Sequence, residues 1–223
     1  MKIPEEVIPK TFLIIEEQPF EQIQELLLSD KISYPFILKP DRGQRGFAVE
    51  VIRDEKGLST YLSKYKTILL VQEYINLPLE FGVLYYRMPN EEKGAVSSVV
   101  EKVLPTIIGD GTSTIKKLMK ESERGQYYQE LLEVRFAHKL EDILPEGEIM
   151  ALTDIGNHSK GATFLNGNHL INEQLVDTFD KISLQIEGFY FGRYDLRCAS
   201  IEDLYAGKVK IVETASTGSN IAN

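Results

Sequence analysis

Four short stretches hold the residues whose types and spacing can do chemistry. Lys39 closes Phe36-Ile37-Leu38, an apolar run bounded by Pro35 and Pro40 that reads as a buried strand. A charge at the end of such a strand needs a partner. The next six residues are DRGQRG, in which Gly43 and Gly46 open backbone conformations closed to other side chains. Val49, Val51 and Ile52 then resume an apolar pattern, so the unit is strand, glycine loop, strand. Nucleotide loops of the P-loop and dinucleotide kinds lead from a strand into a helix instead. A loop between two strands can fold over phosphates as a flap, with backbone N–H groups and a nearby lysine. The same residues also fit an ordinary hairpin with a polar turn.

The second stretch follows the apolar run Thr67–Val71: Glu73, Tyr74 and Ile75, then Asn76 and Pro78, which break the pattern before the next strand, Phe81–Met88. Backbone groups on such a connector can pair with a purine edge, and Glu80 can accept both hydroxyls of a ribose. Two exposed glutamates flanking a turn is the alternative. In the third stretch, Phe189–Cys198, alternation sets Arg193, Asp195 and Arg197 on one face and Tyr194, Leu196 and Cys198 on the other. The fourth, Lys208–Thr214, reads as the neighbouring strand and carries Glu213, with the turn at Ala206-Gly207. Asp195, Glu213 and a phosphate make the oxygen-rich shell that Mg²⁺ prefers. An Arg–Asp–Arg ladder on a solvated face fits that spacing equally well.

The rest of the chain supplies the elements that must position these groups. Thr11–Ile15 reads as a strand, and Pro19 opens a helix with Phe20, Ile23, Leu26 and Leu27 on one face. Leu58, Tyr61, Leu62 and Tyr65 repeat that spacing, and Ser97–Leu104 is a further strand. Gly109-Asp110-Gly111 predicts a tight turn, with Thr112 or Ser113 capping a helix that buries Ile115, Leu118 and Met119. A longer helix is expected from Gln126 to about Glu141, then a mobile loop, DIGNHSKGATF, and a helix capped by Asn172. His138, His158 and His169 have no motif around them.

Composition narrows the function classes. Hydrophobic content of 43% and charged content of 26% over 223 residues are those of a soluble globular protein. No apolar run approaches the roughly 20 residues of a membrane span, so no membrane role is expected. A net charge of −9 argues against holding long nucleic acid. Cys198 is the only cysteine, which excludes an internal disulfide, makes a zinc site improbable and points to a reducing cytoplasm.

Taken in order, FILKPDRGQRG, LLVQEYINLPLEF, VLPTIIGDGTSTIKKL and GRYDLR…KIVET resemble the ATP-grasp superfamily from about Pro9 onward. The IGDGTSTIKKL segment is similar to cyanophycin synthetases and to the ligase part of bifunctional glutathione synthetases. The ending is similar to D-alanine–D-alanine ligases. The resemblance implies an α+β ATP-grasp fold with the nucleotide between two mixed lobes, here a small lobe over 1–75 and a large one over 76–223. It implies ATP and Mg²⁺ as cofactors, small-molecule carboxylate and amine substrates, and an acyl-phosphate intermediate that an amine displaces. Carried over residue by residue, Lys39 contacts the ATP phosphates and the loop with Gly43 and Gly46 covers them. Glu73, Tyr74 and Ile75 line adenine, and Glu80 takes the ribose. Arg193 steadies the transferred phosphoryl group, and Asp195 and Glu213 hold the metal.

The chain departs from the family pattern at Ala215, where an asparagine ordinarily stands two residues after the second metal glutamate. Ser216 and Asn220 are the candidates to replace it. The leading domain of relatives is expected to be absent, to be supplied by a separate N-terminal domain or a partner subunit. The alternative to a ligase is a nucleotide-binding or structural module that kept the fold and lost catalysis.

Overall fold

The computed structural model describes residues 4–42, 46–157 and 160–215. The chain divides into two compact units, one built from the stretch up to Glu101 together with that from Asn166 onward, the other from Lys102–Leu165.

In the first unit, β1 (Thr11–Ile14), β2 (Phe36–Pro40), β3 (Glu50–Ile52) and β4 (Leu69–Glu73) form a sheet in the order β1-β4-β2-β3, with every neighbour antiparallel. Two helices cover it, α1 (Phe20–Ser29) after Pro19 and α2 (Glu55–Lys64), whose cap Asp54 accepts from the Gly57 N–H at 2.7 Å. Ile23, Leu27, Leu58 and Tyr61 bury their side chains against Phe36, Leu38, Leu69 and Val71. Period-2 alternation then decides where the polar residues go. With Phe36, Leu38, Leu69 and Val71 in the core, Lys39 and Gln72 stand on the opposite face of the sheet.

The expected hairpin is present: β2 and β3 pair antiparallel, with Phe36 opposite Ile52. Gly43 lies outside the described residues. Gly46 has φ +70° and Ala48 φ +55°, both in the left-handed region. The Tyr61 hydroxyl donates to the Ala48 carbonyl at 2.6 Å, which ties the returning arm of the hairpin to α2.

The second sheet begins with β5 (Leu79–Tyr86) and β6 (Ala95–Val103). The chain then runs through the other compact unit, where β7 (Thr106–Ile108) precedes the predicted turn. Gly109 is required there, because a Cβ would lie 1.9 Å from the Pro145 carbonyl oxygen. The Asp110 carboxylate accepts from the Thr112 and Ser113 N–H groups at 2.9 and 2.6 Å and from the Ser113 hydroxyl at 2.6 Å. These bonds hold its carboxyl well below the usual range. They also engage both expected capping residues, and the cap of α3 (Ile115–Glu121) is Thr114.

The helix expected over 126–141 is instead α4 (Glu123–Tyr127) and α5 (Gln129–Arg135). Ser122 starts the first by accepting from Gly125, and Tyr128, at φ −115° and ψ 20°, separates them. Only Leu132 and Phe136 carry the buried i, i+4 stripe into the core of this unit, with Ile107, Ile115 and Met119. β8 (Ile149–Ala151) pairs antiparallel with β7. Thr163–Asn166, at the end of the stretch expected to be a loop, forms strand β9.

Back in the first unit, Asn172 caps α6 (Glu173–Leu184) as its sequence predicts, accepting from the Leu175 N–H at 2.9 Å. β10 (Phe191–Cys198), α7 (Ile201–Tyr205) and β11 (Val209–Ala215) follow, giving the order β11-β10-β5-β6 within this unit, again antiparallel. Leu175, Phe179 and Ile182 pack on Phe81, Val83, Tyr194, Leu196 and Ile211. Asp180, buried in this core, accepts from the Tyr85 hydroxyl at 2.6 Å and the Gly94 N–H at 2.7 Å, so its burial is compensated. The architecture is α+β.

Candidate functional site

Tyr194, Leu196 and Cys198 are fully buried, so the intervening Arg193, Asp195 and Arg197 occupy the other face of β10. Across β11 the ladder pairs Asp195 with Glu213 and Leu196 with Ile211, a register shift that leaves Val212 as a bulged residue. Without the bulge, Glu213 would follow Val209 and Ile211 into the core. With it, Glu213 stands directly opposite Asp195, on the charged face. On the other side of Asp195 the register places Gly82 of β5. A Cβ there would sit 3.1 Å from the Asp195 Oδ1 and 3.4 Å from the Arg193 Cδ, so the glycine makes room for the acid and its partner. Arg193 donates from Nε and Nη2 to Asp195 Oδ2 at 3.2 and 2.8 Å, and from Nε to Oδ1 at 3.1 Å.

Lys39 reaches this cluster from the other sheet. Its Nζ donates to Gln72 Oε1 at 3.2 Å and to the Val212 carbonyl at 3.5 Å, and Gln72 Nε2 donates to that same carbonyl at 3.2 Å. The bulge therefore does two things: it turns Glu213 and it offers the Val212 carbonyl to groups outside the strand ladder. Burial lowers the Lys39 pKa, and the Glu213 carboxylate opposes that shift.

The connector between β4 and β5 is held by a third constellation. Arg197 donates from Nε and Nη2 to Glu80 Oε2 at 3.0 and 2.8 Å, and from Nη1 to the Ile75 carbonyl at 2.9 Å. Its guanidinium also lies 5.9 Å from the centre of the Tyr74 ring. Glu73 is different. Its carboxylate accepts from the Lys10 N–H at 3.2 Å, at the start of β1, and alternation sets it on the face away from Gln72. A cavity of about 240 Å³ lined by Lys31, Tyr34, Pro35, Glu73, Tyr74 and Asn76 opens there, away from Lys39.

The structure thus gathers Lys39, Arg193, Asp195 and Glu213 around the bulge, and Tyr74, Ile75 and Glu80 around Arg197. It does not bring the Glu73 side chain to either group. Gly46 belongs to the hairpin tied down by Tyr61; Gly43, Ser216, Asn220 and His158 lie outside the described residues. Sequence reasoning passed over Gln72 and the Val212 carbonyl, and gave Arg197 no role. Gln72 carried one signal, a polar residue directly following the apolar run before the connector. Among the described residues no three His, Cys, Asp or Glu side chains converge on one metal position. Two carboxylates facing each other across adjacent strands nevertheless fit a divalent cation that takes its remaining ligands from phosphate and water.

None of the protein-family profiles matches the chain. It is 23% identical over 189 residues to cyanophycin synthetase from Synechocystis sp., a match covering 74% of this chain and 21% of that protein. The VanG D-Ala:D-Ser ligase of Enterococcus faecalis superposes with a TM-score of 0.51 at 13% identity, covering 93% of this chain and 47% of that one. A bifunctional glutathione synthetase from Pasteurella multocida gives a TM-score of 0.42 at 11% identity, covering 95% and 30%. The chain spans about a fifth of the length of the curated relative and under half of the VanG ligase. It resembles the ATP-grasp carboxylate–amine ligases and shares their mixed α+β fold.

Proposed function

We propose that the chain is an ATP- and Mg²⁺-dependent carboxylate–amine ligase, or the catalytic domain of one, working in the cytoplasm on small-molecule substrates. The observation that carries this reading is the meeting of Lys39 from one sheet with the Asp195–Glu213 pair of the other, through the bulged Val212 carbonyl. A cation from one side and two carboxylates from the other suit a polyphosphate with its metal.

In the reaction, an oxygen of the substrate carboxylate attacks the γ-phosphorus of ATP, and ADP leaves. The amine then attacks the acyl carbon, inorganic phosphate departs, and the nitrogen loses a proton. Positioning and charge neutralisation are what such phosphoryl transfer asks of a protein. Lys39 binds phosphate oxygens, and the hairpin carrying Gly43 and Gly46 covers them. Arg193 meets the charge on the transferred group. Glu73, Tyr74 and Ile75 offer their backbone to adenine, and Glu80 accepts from the ribose hydroxyls. Asp195 and Glu213 hold Mg²⁺, which supplies neutralisation of the phosphate charge when bound.

A second reading, a nucleotide-binding or structural module without catalysis, has Ala215 in its favour. Ala215 stands opposite Arg193 in the β10–β11 ladder, and its side chain offers no oxygen to a metal. Calorimetric titration with ADP, with and without Mg²⁺, followed by phosphate release in the presence of amino acids, separates the readings. Mg²⁺-dependent binding with amine-stimulated phosphate release supports the ligase. Binding without turnover supports a nucleotide-binding module, and no binding in either condition overturns the ligase and leaves the structural module.

A further inference from the structure

Arg197 is a buried cation to which the ligase reading assigns nothing. It is 8% exposed, and its ion-pair partner Glu80 is also 8% exposed. Burying two charges is costly unless they are paired and further hydrogen-bonded. Here the same guanidinium satisfies one oxygen of Glu80 twice, takes the Ile75 carbonyl, and sits over the Tyr74 ring. Two points of the connector, 74 and 75, and Glu80 at the start of β5 therefore converge on a single rigid, planar group. The register places Arg197 directly opposite Glu80 on β5, so the strand ladder sets that distance.

We propose that Arg197 is the positioning residue for the nucleoside end of the site. It fixes the Glu80 carboxylate and the connector backbone in one frame before ligand arrives, and so determines discrimination for a ribonucleotide. Three consequences follow from the geometry. Glu80 meets a ribose without first having to be ordered, which lowers the entropic cost of binding. The Ile75 carbonyl is oriented by its bond from Nη1, and its second lone pair can still accept from a base amino group. A lysine cannot replace Arg197, because an ammonium lacks the planar fork that spans Glu80 and Ile75 together.

This rests on the reading of Glu80 as the ribose acceptor. The test uses the full chain with ADP and 2′-deoxy-ADP as probes, measured by calorimetry for wild type, Arg197→Lys, Glu80→Gln and the double variant. Arg197→Lys keeps a cation beside Glu80 and so preserves the fold; thermal unfolding checks this. Should it be destabilised, Arg197→Met with Glu80→Gln, which removes both charges, takes its place in the comparison with Glu80→Gln alone.

The expected result is a wild-type preference for ADP over 2′-deoxy-ADP of about tenfold or more, as for a hydrogen bond to a charged group. In Arg197→Lys the preference collapses, with 2′-deoxy-ADP affinity falling by less than ADP affinity, and adding the lysine change to Glu80→Gln has no further effect on the preference. Parallel loss of both affinities with an unchanged preference, or additive effects in the double variant, overturns the proposal while the site reading stands. Absence of ADP binding by the wild type overturns the site reading and this proposal with it.

Discussion

One strand carries two arginine–carboxylate pairs on the same face, four residues apart, and they are built differently. Arg193 and Asp195 belong to the same strand, and Arg197 reaches across to Glu80 on β5. Their shortest contacts are both 2.8 Å. What separates them is side-chain exposure: the Arg193 side chain is 50% exposed over a nearly buried Asp195, whereas the Arg197 and Glu80 side chains are 10% and 9% exposed. Water and counter-ions compete for the first pair, so opening it costs little. Opening the second leaves a charge stranded in the interior. Under the proposed ligase reading the difference divides the labour on β10: its first half would exchange partners with an incoming phosphate, and its second half would hold the connector.

The largest effect should come from the acids that the bulge brings together. Asp195→Asn and Glu213→Gln are each expected to lower Mg²⁺-dependent turnover by about 10²-fold or more, on the scale of losing one preorganised charge contact. Phosphate release against Mg²⁺ concentration measures it. Full activity in both variants removes the metal from this face. Next come the two arginines, where the comparison can be broken outright. Arg197→Met is expected to cost about 3–5 kcal/mol of stability by orphaning Glu80. Arg193→Ala, which opens Asp195 to water, should cost no more than about 1 kcal/mol while cutting turnover. Chemical denaturation with kinetics on the same samples reads both; the reverse order of stabilities sinks the division of labour.

How much of this was legible depended on range. The cap at Asn172, the helix after Pro19 and the alternation Tyr194-Leu196-Cys198 against Arg193-Asp195-Arg197 are local, and each was readable from a few neighbouring residues. Lys39 was recognisable as a charge ending a buried run. The bulge was not read, although the adjacent apolar pair Ile211-Val212 breaks the alternation of Lys208–Thr214 at that point. Gln72 and Arg197 gained their meaning from partners 140 and 122 residues away. The helix expected over 126–141 failed for another reason: apolar spacing continued past Tyr128, where the backbone leaves the helical region. The short strands β7, β8 and β9 offered too few residues for a period to show.

Lys39 sharpens the contrast between the two halves of the site, since its partners are the Gln72 amide oxygen and a backbone carbonyl rather than a carboxylate. Burial pulls its pKa below the ordinary 10.5. Phosphate binding needs the ammonium form, so ADP affinity should fall as pH rises through that lowered value. Stability moves the other way: between the folded pKa and 10.5 the unfolded chain binds the proton more readily, so the fold gains stability with rising pH. Lys39→Met should weaken ADP binding by about tenfold or more, as expected for losing a charge-assisted bond, and flatten both profiles. Titrations at several alkaline pH values check this. Unchanged ADP affinity in the variant would falsify the assignment of Lys39 to the phosphates.

The smallest effect concerns Ala215, and it bears on which half of β10 limits function. Ala215 pairs with Arg193 two positions along from the Asp195–Glu213 pair, so its side chain lies on the same face of β11 as Glu213. An asparagine there adds an amide oxygen beside two carboxylates without adding charge. Ala215→Asn is an exposed change and should leave stability within about 0.5 kcal/mol. If metal affinity limits the exchanging half of the strand, the Mg²⁺ concentration for half-maximal ADP binding should drop, by up to about tenfold. ADP affinity without Mg²⁺ should not move, because Lys39 and the Arg197-held connector are untouched. A drop in both conditions would mean that residue 215 acts on the nucleotide itself, and the separation of a metal-bearing half from a nucleoside-bearing half would not hold.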